Sequence, residues 1–252
     1  MIDVGTVDGI ATITMNHGRP NALDIEFCDT LTAGFAALRS ADVKAVVLTA
    51  PGHIFCAGVD LKRLSAGGVD YVRRFLPSLH RLYDAVFFHP KPVIAAINGH
   101  AMAGGAVLAA CADRRIMAKG SGRIGITEML VGVPLPALAF EIVRFAVPDR
   151  SLAEFALTGA TYPTDAALAK GWVDEVVEPA ALMARAQEAA AFYASLSPEA
   201  FAQTKMQVRQ AVSERMALSG TATDRKVTEI WTQAATLSRV ADYVAKTLTR
   251  RA

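Results

Sequence analysis

Two loops rich in small residues are the parts of the sequence best suited to chemistry. The second of the two along the chain, HAMAGGAVLAACADRRI (residues 100–116), places Gly104 and Gly105 where a helix is about to begin. Glycines at a helix start let a ligand approach backbone N–H groups that have no intrahelical partner, which suits a developing negative charge. The same pair would equally allow close packing of the helix on a strand, so the glycines alone leave both interpretations open.

The first loop, HIFCAGVDLKRL (residues 53–64), follows another apolar strand and has the same small-residue character. Loops that follow parallel strands meet at the carboxyl ends of those strands, where α/β folds bind ligands. We therefore expect one backbone N–H group from each loop to converge on a common point.

Several familiar motifs are missing from these loops. Gly99 and Gly104 have the spacing of a phosphate loop, but Gly105 occupies the place of its lysine, which argues against a nucleotide triphosphatase. No G-x-G-x-x-G follows a strand and no G-x-S-x-G elbow occurs, so dinucleotide binding and serine hydrolase chemistry are not supported. The cysteines and histidines have no metal-ligand spacing, and no metal is expected.

The composition is that of a globular protein. Of the 252 residues, 52% are hydrophobic and 20% charged, and the formal net charge of +2 gives no reason to expect a nucleic-acid or membrane surface. Cys28, Cys56 and Cys111 are odd in number and widely spaced, which indicates reduced thiols and a cytoplasmic location. The charge-free residues 93–112 could span a bilayer in length, but their polar and glycine residues predict a buried strand, a turn and a helix.

The pattern of apolar residues predicts the elements that must position the two loops. Strands alternate with helices through the first two thirds of the chain and helices dominate the rest, which is typical of an α/β body with a helical C-terminal part. A weak boundary divides a core of residues 1–192 from a helical region of residues 193–252, whose helices close the core or pack on a neighbouring subunit. Strands are predicted at residues 10–15, 43–49, 93–97, 115–118 and 173–177, and helices at 23–38, 69–88, 153–158, 165–170, 180–196, 198–212 and 223–249.

With these segments in place, the sequence resembles the enoyl-CoA hydratase/isomerase, or crotonase, superfamily. The resemblance rests on FCAGVDL (55–61) and KPVIAAINGHAMAGGAVLAACAD (91–113), supported by RPNAL (19–23) and LTGATYPTDAALAKGWVDEVV (157–177). It covers most of residues 10–180 and fades after about Phe192. It implies a spiral of ββα turns with trailing helices, homotrimers or dimers of trimers, and an acyl-CoA thioester substrate, with coenzyme A as part of that substrate and no separate cofactor.

The resemblance also assigns site residues by motif position. The two convergent N–H groups would belong to Val59 and Gly104, and would hold the thioester oxygen as it gains charge. Lys62 matches a family position near the CoA phosphates. Pro134 and Leu135 lie in a segment that departs from the family pattern, and they are expected to line the acyl pocket because they are apolar. Further substrate contacts are expected at Ala57, Asp60, Leu61, Gly105 and Val107.

Only one of the two glutamates that hydratases of this family carry is present. Val107 occupies the first position and cannot relay a proton, whereas IGITEMLVG (124–132) keeps Glu128 at the second. A single carboxylate suffices to take a proton from C2 of a 3-enoyl thioester and return it to C4, the pattern of the Δ3,Δ2-enoyl-CoA isomerases. We expect apolar neighbours such as Met129 and Leu130 to raise the pKa of Glu128.

Enoyl-CoA isomerisation is therefore the leading hypothesis. A hydratase that finds its second acid elsewhere, with Glu141 as a candidate, and a CoA-thioester-binding oligomer of low activity are the alternatives. Asp60 and Asp113 are expected to orient loop backbone, and His100 to have a hydrogen-bonded packing role. Lys62 and Arg63 are explained equally well as a solvated pair of surface charges.

Overall fold

A computed structural model describes residues 1–248, so the last residue of the predicted helix 223–249 and the end of the region 193–252 lie outside the described residues. Within that range the strands are β1 (Ile2–Val7), β2 (Ile10–Met15), β3 (Ala45–Thr49), β4 (Ile54–Cys56), β5 (Val93–Ile97), β6 (His100–Met102), β7 (Arg114–Ala118), β8 (Arg123–Gly125), β9 (Tyr162–Pro163) and β10 (Glu175–Val177). The helices are α1 (Ile25–Ser40), α2 (Leu61–Phe87), α3 (Gly104–Ala110), α4 (Glu128–Val131), α5 (Ala137–Ala146), α6 (Asp149–Thr158), α7 (Thr164–Ala169), α8 (Leu182–Ala194), α9 (Pro198–Arg215), α10 (Thr221–Trp231) and α11 (Ala234–Tyr243). A 3₁₀ turn (Pro179–Ala181) precedes α8, and π-helical turns (Met216–Gly220 and Val244–Leu248) follow α9 and α11.

A six-stranded sheet in the order β1-β2-β3-β5-β7-β10 forms the centre of the molecule. β1 and β2 pair antiparallel, and the remaining neighbours pair in parallel. Every residue of β3 (AVVLT) and β5 (VIAAI) is buried, as expected of parallel strands that are covered on both faces. The two candidate loops leave the carboxyl ends of these strands at the same edge of the sheet.

A smaller sheet, in the order β4-β6-β8-β9, brings those loops together. β4 pairs in parallel with β6, with Ile54 opposite His100, and β6 pairs in parallel with β8, with Ala101 opposite Ile124. Because β4, β6 and β8 lead into residues 57–60, residues 103–105 and α4 respectively, these three segments all begin at one edge of the smaller sheet.

Helices cover both faces of the central sheet. The main buried cluster includes Phe27 and Val107 and extends to Trp231 and Val240 of the C-terminal helices. A second buried cluster packs α8 against the opposite face of the sheet. The helices that follow residue 192 thus pack on the core of their own chain.

The predicted α/β class is confirmed, and β5 has its predicted bounds. Residues 93–112 divide into a strand, a turn and a helix as predicted, with the additional short strand β6 between them. No helix within residues 1–248 is long and apolar enough to cross a membrane.

The predicted bounds differ from the structure at several elements. α2 begins at Leu61 rather than at residue 69, and Gly68, with a φ of 58°, interrupts its helical backbone. The predicted helix 223–249 is two helices, because Gln233 between them is extended, with a ψ of 138°. The pattern does not predict β1, which is mostly exposed, or β4, β6, β8, β9, α4 and α5, several of which are too short to establish a period.

Candidate active site

The RPNAL segment holds the first loop in place. Leu23 and Val59 form an isolated parallel β-bridge. The Leu23 N–H donates to the Gly58 carbonyl at 2.8 Å, and the Asp60 N–H donates to the Leu23 carbonyl at 2.9 Å. Because the bridge uses the peptide groups on either side of Val59, the N–H of Val59 itself points away from Leu23.

The second loop begins with a conformation that is unusual for its residue. Ala103, which precedes α3, has φ 52° and ψ −126°, and such a backbone costs a non-glycine residue about 1–3 kcal/mol. The Ala103 carbonyl accepts from the N–H groups of Ala106 at 2.9 Å and Val107 at 3.2 Å. The N–H groups of Gly104 and Gly105 lie in the first turn of α3, where a helix supplies no acceptor.

The two loops are in direct contact through their glycines. A Cβ atom on Gly58, whose φ is 86°, would lie 3.2 Å from the Gly104 nitrogen. A Cβ on Gly105 would lie 2.2 Å from the Cys56 carbonyl oxygen, so Gly105 is needed for close packing of α3 on β4. A Cβ on Gly104 would lie 2.8 Å from the Tyr83 hydroxyl. The packing interpretation therefore holds for both glycines, and it is compatible with a role for the Gly104 N–H.

Glu128 is the first residue of α4 and is 6% exposed. Its Oε2 atom is buried without a hydrogen-bond partner among the described residues. Burial raises the pKa of Glu128 to about 7, although the N–H groups of Glu128 itself and of Thr127 oppose the shift. The predicted rise in pKa is confirmed, but its assigned cause is wrong, because Met129 and Leu130 are 47% and 52% exposed.

Tyr83, on α2, is a site residue that the sequence pattern does not single out. Its side chain is 1% exposed, and its hydroxyl donates to the Gly104 carbonyl at 2.9 Å. Burial raises the pKa of Tyr83 well above its usual value, and the negative charge of Glu128 raises it further. A helical apolar stripe predicts burial for a tyrosine at this position, but not which main-chain group its hydroxyl reaches.

Val107, one turn after Gly104, is fully buried in the main core. Around the first loop, Ala57 and Lys62 are exposed, and Leu61 is partly buried. Asp60 caps α2, accepting from the N–H groups of Lys62 and Arg63 at 3.0 Å each, so its expected role in loop backbone is confirmed.

Pro134 and Leu135 lie in the segment that connects α4 to α5, and both are partly buried. The Pro134 carbonyl accepts from Trp231 Nε1 at 2.9 Å. The N–H of Ala137 donates to Asp224 Oδ1 at 2.8 Å. Helix α10 thus contacts the middle of the segment that follows α4 and the first residue of α5.

Arg63 is solvent-exposed, with 42% of its side chain accessible, and it is also ion-paired, which the interpretation as a solvated charge leaves out. Its guanidinium contacts Asp24 at 2.7 Å and Glu26 at 2.5 Å, which joins the starts of α1 and α2. Burial would raise the pKa of Asp24, but hydrogen bonds from His17, the Phe27 N–H and Arg63 outweigh it and lower that pKa. This ion pair ties the element after the first loop to the element that follows RPNAL.

Glu141, the candidate second acid, is held in ion pairs with Arg144 at 3.2 Å and Arg215 at 2.5 Å. Asp113 binds Lys205 at 2.6 Å and Arg209 at 2.7 Å, and the expectation that it is structural is confirmed.

The remaining sequence expectations concern a histidine and the three cysteines. His100 Nδ1 accepts from the Arg123 N–H at 3.2 Å, in line with its expected packing role. All three cysteines are buried free thiols, as predicted.

The geometry defines a class of protein: an α/β fold in which two small-residue loops and a buried carboxylate lie at one edge of the sheet. A family model described as enoyl-CoA hydratase/isomerase matches residues 5–246. The (E)-benzylidenesuccinyl-CoA hydratase of Thauera aromatica is 33% identical over 203 residues, which cover 78% of this chain and 77% of that protein.

Two mammalian proteins are also similar. The mitochondrial enoyl-CoA delta isomerase 1 of Rattus norvegicus is 27% identical over 212 residues, 82% of this chain and 73% of that protein. The crystal structure of human mitochondrial delta3-delta2-enoyl-CoA isomerase superposes with a TM-score of 0.94 at 22% identity, covering 100% of this chain and 99% of that one.

The chain belongs to the enoyl-CoA hydratase/isomerase family. The expected crotonase-like fold is confirmed, and with it the class of activity, which is that of an enzyme family acting on acyl-CoA thioesters.

Proposed function

We propose that this protein isomerises the double bond of an enoyl-CoA, moving it from the 3,4 to the 2,3 position. Glu128 removes a proton from C2 of the 3-enoyl thioester, the charge passes to the thioester oxygen, and Glu128 returns the proton to C4. The observation that carries the proposal is Glu128 itself, a buried carboxylate whose Oε2 has no partner among the described residues.

The pKa of Glu128 fits this role. A general base works best when its pKa lies near the working pH, and burial raises that of Glu128 to about 7. The carboxylate then holds the proton only briefly and can release it to C4. Such a base contributes about 10²- to 10⁴-fold to the rate.

The N–H groups of Val59 and Gly104 stabilise the enolate oxygen. The contact between Gly58 and Gly104, and the orientation that the Leu23 bridge gives to Val59, support this assignment. One well-placed donor of this kind lowers a barrier by roughly 3–4 kcal/mol, because it binds charge that exists only along the reaction path.

Two observations favour isomerisation over hydration. Val107 is apolar and fully buried where a hydratase would need its other acid. Glu141 is engaged by two arginines. Hydration remains the alternative, since the 33%-identical relative from Thauera aromatica is named a hydratase, whereas the rat relative is named an isomerase.

Coenzyme A is bound as part of the substrate, and the reaction requires no other cofactor. Exposed Lys62, after the first loop, is available to the CoA phosphates. Ala57, Asp60 and Leu61 border the thioester, and Pro134 and Leu135 line the acyl pocket.

The C-terminal region, residues 193–252, closes the active site. The hydrogen bonds of Asp224 with Ala137 and of Trp231 with Pro134 support this role, because they join α10 to the segment after α4. We further propose a homotrimer or a dimer of trimers, because α8 and α9 carry exposed apolar side chains at Phe192 (63% exposed), Met206 (42%) and Val208 (59%).

The test offers the purified protein crotonyl-CoA and a 3-enoyl-CoA of the same chain length in parallel. The proposal expects rapid conversion of the 3-enoyl thioester to its 2-enoyl isomer, with hydration of crotonyl-CoA much slower. Hydration of crotonyl-CoA at a rate that rivals isomerisation would contradict it.

A further inference from the structure

The hydroxyl of Tyr83 makes a main-chain contact at the centre of the candidate site. Tyr83 lies near the end of α2, and its hydroxyl donates to the carbonyl of Gly104 at 2.9 Å. This contact is a hydrogen bond from a side chain to the main chain within the first turn of α3. Helix α3 receives no side-chain cap from Ala103, which precedes it.

The contact restrains a part of the loop whose backbone is otherwise free to change conformation. Two consecutive glycines have more accessible backbone conformations than any other pair, and Ala103 before them is in a strained one. The Gly104 carbonyl belongs to the peptide group that continues into Gly105. A hydrogen bond to this carbonyl fixes the orientation of that peptide plane, which carries the Gly105 N–H. Because the plane adjoins the Ala103–Gly104 peptide at the Gly104 Cα, fixing it also restricts the backbone rotation of Gly104 and so the direction of the Gly104 N–H.

Tyr83 and Gly104 are sterically matched. A Cβ atom on Gly104 would lie 2.8 Å from the Tyr83 hydroxyl and 3.1 Å from a methyl group of Leu23. The phenol thus occupies the space that a side chain at position 104 would fill. Leu23 also forms the bridge to Val59, so the same small volume is bounded by parts that hold both loops.

We propose that Tyr83 is a positioning residue of this enzyme: its hydroxyl holds the first turn of α3 so that the Gly104 N–H stays directed at the thioester oxygen. The inference rests on the proposed function and adds to it a residue that does not touch the substrate. Its effect is greatest when charge on the oxygen is greatest, so it acts on the transition state more than on binding.

Tyr83→Phe removes this hydroxyl and leaves the ring in the core. Tyr71→Phe is the matched control, since Tyr71 lies on the same helix, is 6% exposed, and has a hydroxyl that makes no hydrogen bond to the described residues of α3. We expect Tyr83→Phe to lower kcat about 5- to 10-fold with little change in KM, the effect of one neutral hydrogen bond. Tyr71→Phe is expected to match the wild type.

A spectroscopic measurement separates positioning from a general loss of structure. The infrared C=O stretch of a 2-enoyl-CoA labelled with ¹³C at the thioester carbon is recorded free and bound to each protein. Binding to the wild type and to Tyr71→Phe should lower the frequency, and binding to Tyr83→Phe should lower it less.

Equal lowering in all three proteins would overturn the role of Tyr83 while leaving the proposed function intact. No lowering in the wild type would overturn the proposed function, and this inference with it. A Tyr83→Phe protein that failed to fold would also overturn the inference, because it would assign the hydroxyl to folding rather than to the site.

Discussion

Glu128 and Asp113 are both largely buried carboxylates, but their surroundings are opposite. Asp113 accepts hydrogen bonds from Lys205 at 2.6 Å, from Arg209 at 2.7 Å and from the Val93 N–H at 2.8 Å. Glu128 faces no cation in an ion pair among the described residues, and its Oε2 has no partner there. A buried carboxylate that lacks such partners moves toward its neutral form.

This difference distinguishes a carboxylate that stabilises the fold from one that is suited to proton transfer. The cationic partners of Asp113 lie on α9, so its charge ties the C-terminal helices to the start of β5 and β7. Without such partners, burial places the pKa of Glu128 near neutrality, where the carboxylate can both take and release a proton. Each carboxylate can be changed to its amide to test whether this division holds.

The largest effect is expected from Glu128→Gln. The amide cannot accept the C2 proton, so turnover of a 3-enoyl-CoA should fall about 10²- to 10⁴-fold. The free energy of unfolding near pH 8 should not decrease, because the substitution removes a buried charge that has no counterion. Steady-state kinetics and urea unfolding measure the two quantities, and near-normal turnover would refute the role of Glu128.

Asp113→Asn should lower the free energy of unfolding and leave the turnover of the folded protein unchanged. Removing the charge leaves Lys205 and Arg209 buried without their counterion, and breaking such a group costs about 3–5 kcal/mol. The free energy of unfolding, measured in urea, should fall by that amount, while folded protein keeps its turnover. A loss of stability below about 1 kcal/mol would show that the buried ion group does not anchor α9.

The pH dependence of stability should carry the signature of Glu128. Its folded pKa of about 7 is raised from 4.5, so the folded state binds the proton more tightly than the unfolded state. Stability due to this group is present below pH 4.5 and is lost as the pH rises through 7, by about 3 kcal/mol in total. The difference in unfolding free energy between wild type and Glu128→Gln should fall by this amount between pH 4.5 and 8. A constant difference would contradict the raised pKa.

The smallest effect is expected from Trp231→Phe. The change removes the hydrogen bond from Nε1 to the Pro134 carbonyl, worth about 1 kcal/mol, in addition to packing. Trp172→Phe gives the packing loss alone, since Trp172 is fully buried and its Nε1 has no partner among the described residues. Equal losses in the two variants would show that the contact of α10 with the segment after α4 adds no stability.

The parts of the fold that the sequence predicts are those with a strong local pattern. β5 is continuously apolar and bounded by prolines and a glycine, and its bounds match the prediction. β4, β6 and β8 have three residues each, which is too few to establish a period, and they exist because they pair with one another. The small sheet that aligns the two loops is therefore a tertiary feature.

The candidate site also has parts that the sequence predicts and parts that depend on tertiary packing. The glycine-rich loops are readable from residue types after apolar strands. The burial of Glu128 is not, because its sequence neighbours Met129 and Leu130 are exposed and other parts of the fold enclose the carboxylate. Tyr83 lies 21 residues from Gly104, and its contact depends on how α2 packs on α3.

The sequence contains a signal for one distant contact, the ion pairs of Lys205 and Arg209 with Asp113. Lys205 and Arg209 are four residues apart, on one face of a helix that is otherwise mostly exposed. Two buried cations at that spacing require an anion from elsewhere in the chain. The identity of that anion, Asp113, more than 90 residues away, follows only from the fold.

The transfer of one hydrogen from C2 to C4 tests the central claim most directly. A 3-enoyl-CoA carrying deuterium at C2 is converted in ordinary water, and the product is analysed for deuterium at C4. Because Glu128 is only 6% exposed, the deuteron it removes should exchange slowly with solvent, and a measurable share should appear at C4. A product whose new C4 hydrogen comes entirely from water would contradict proton transfer by this one carboxylate.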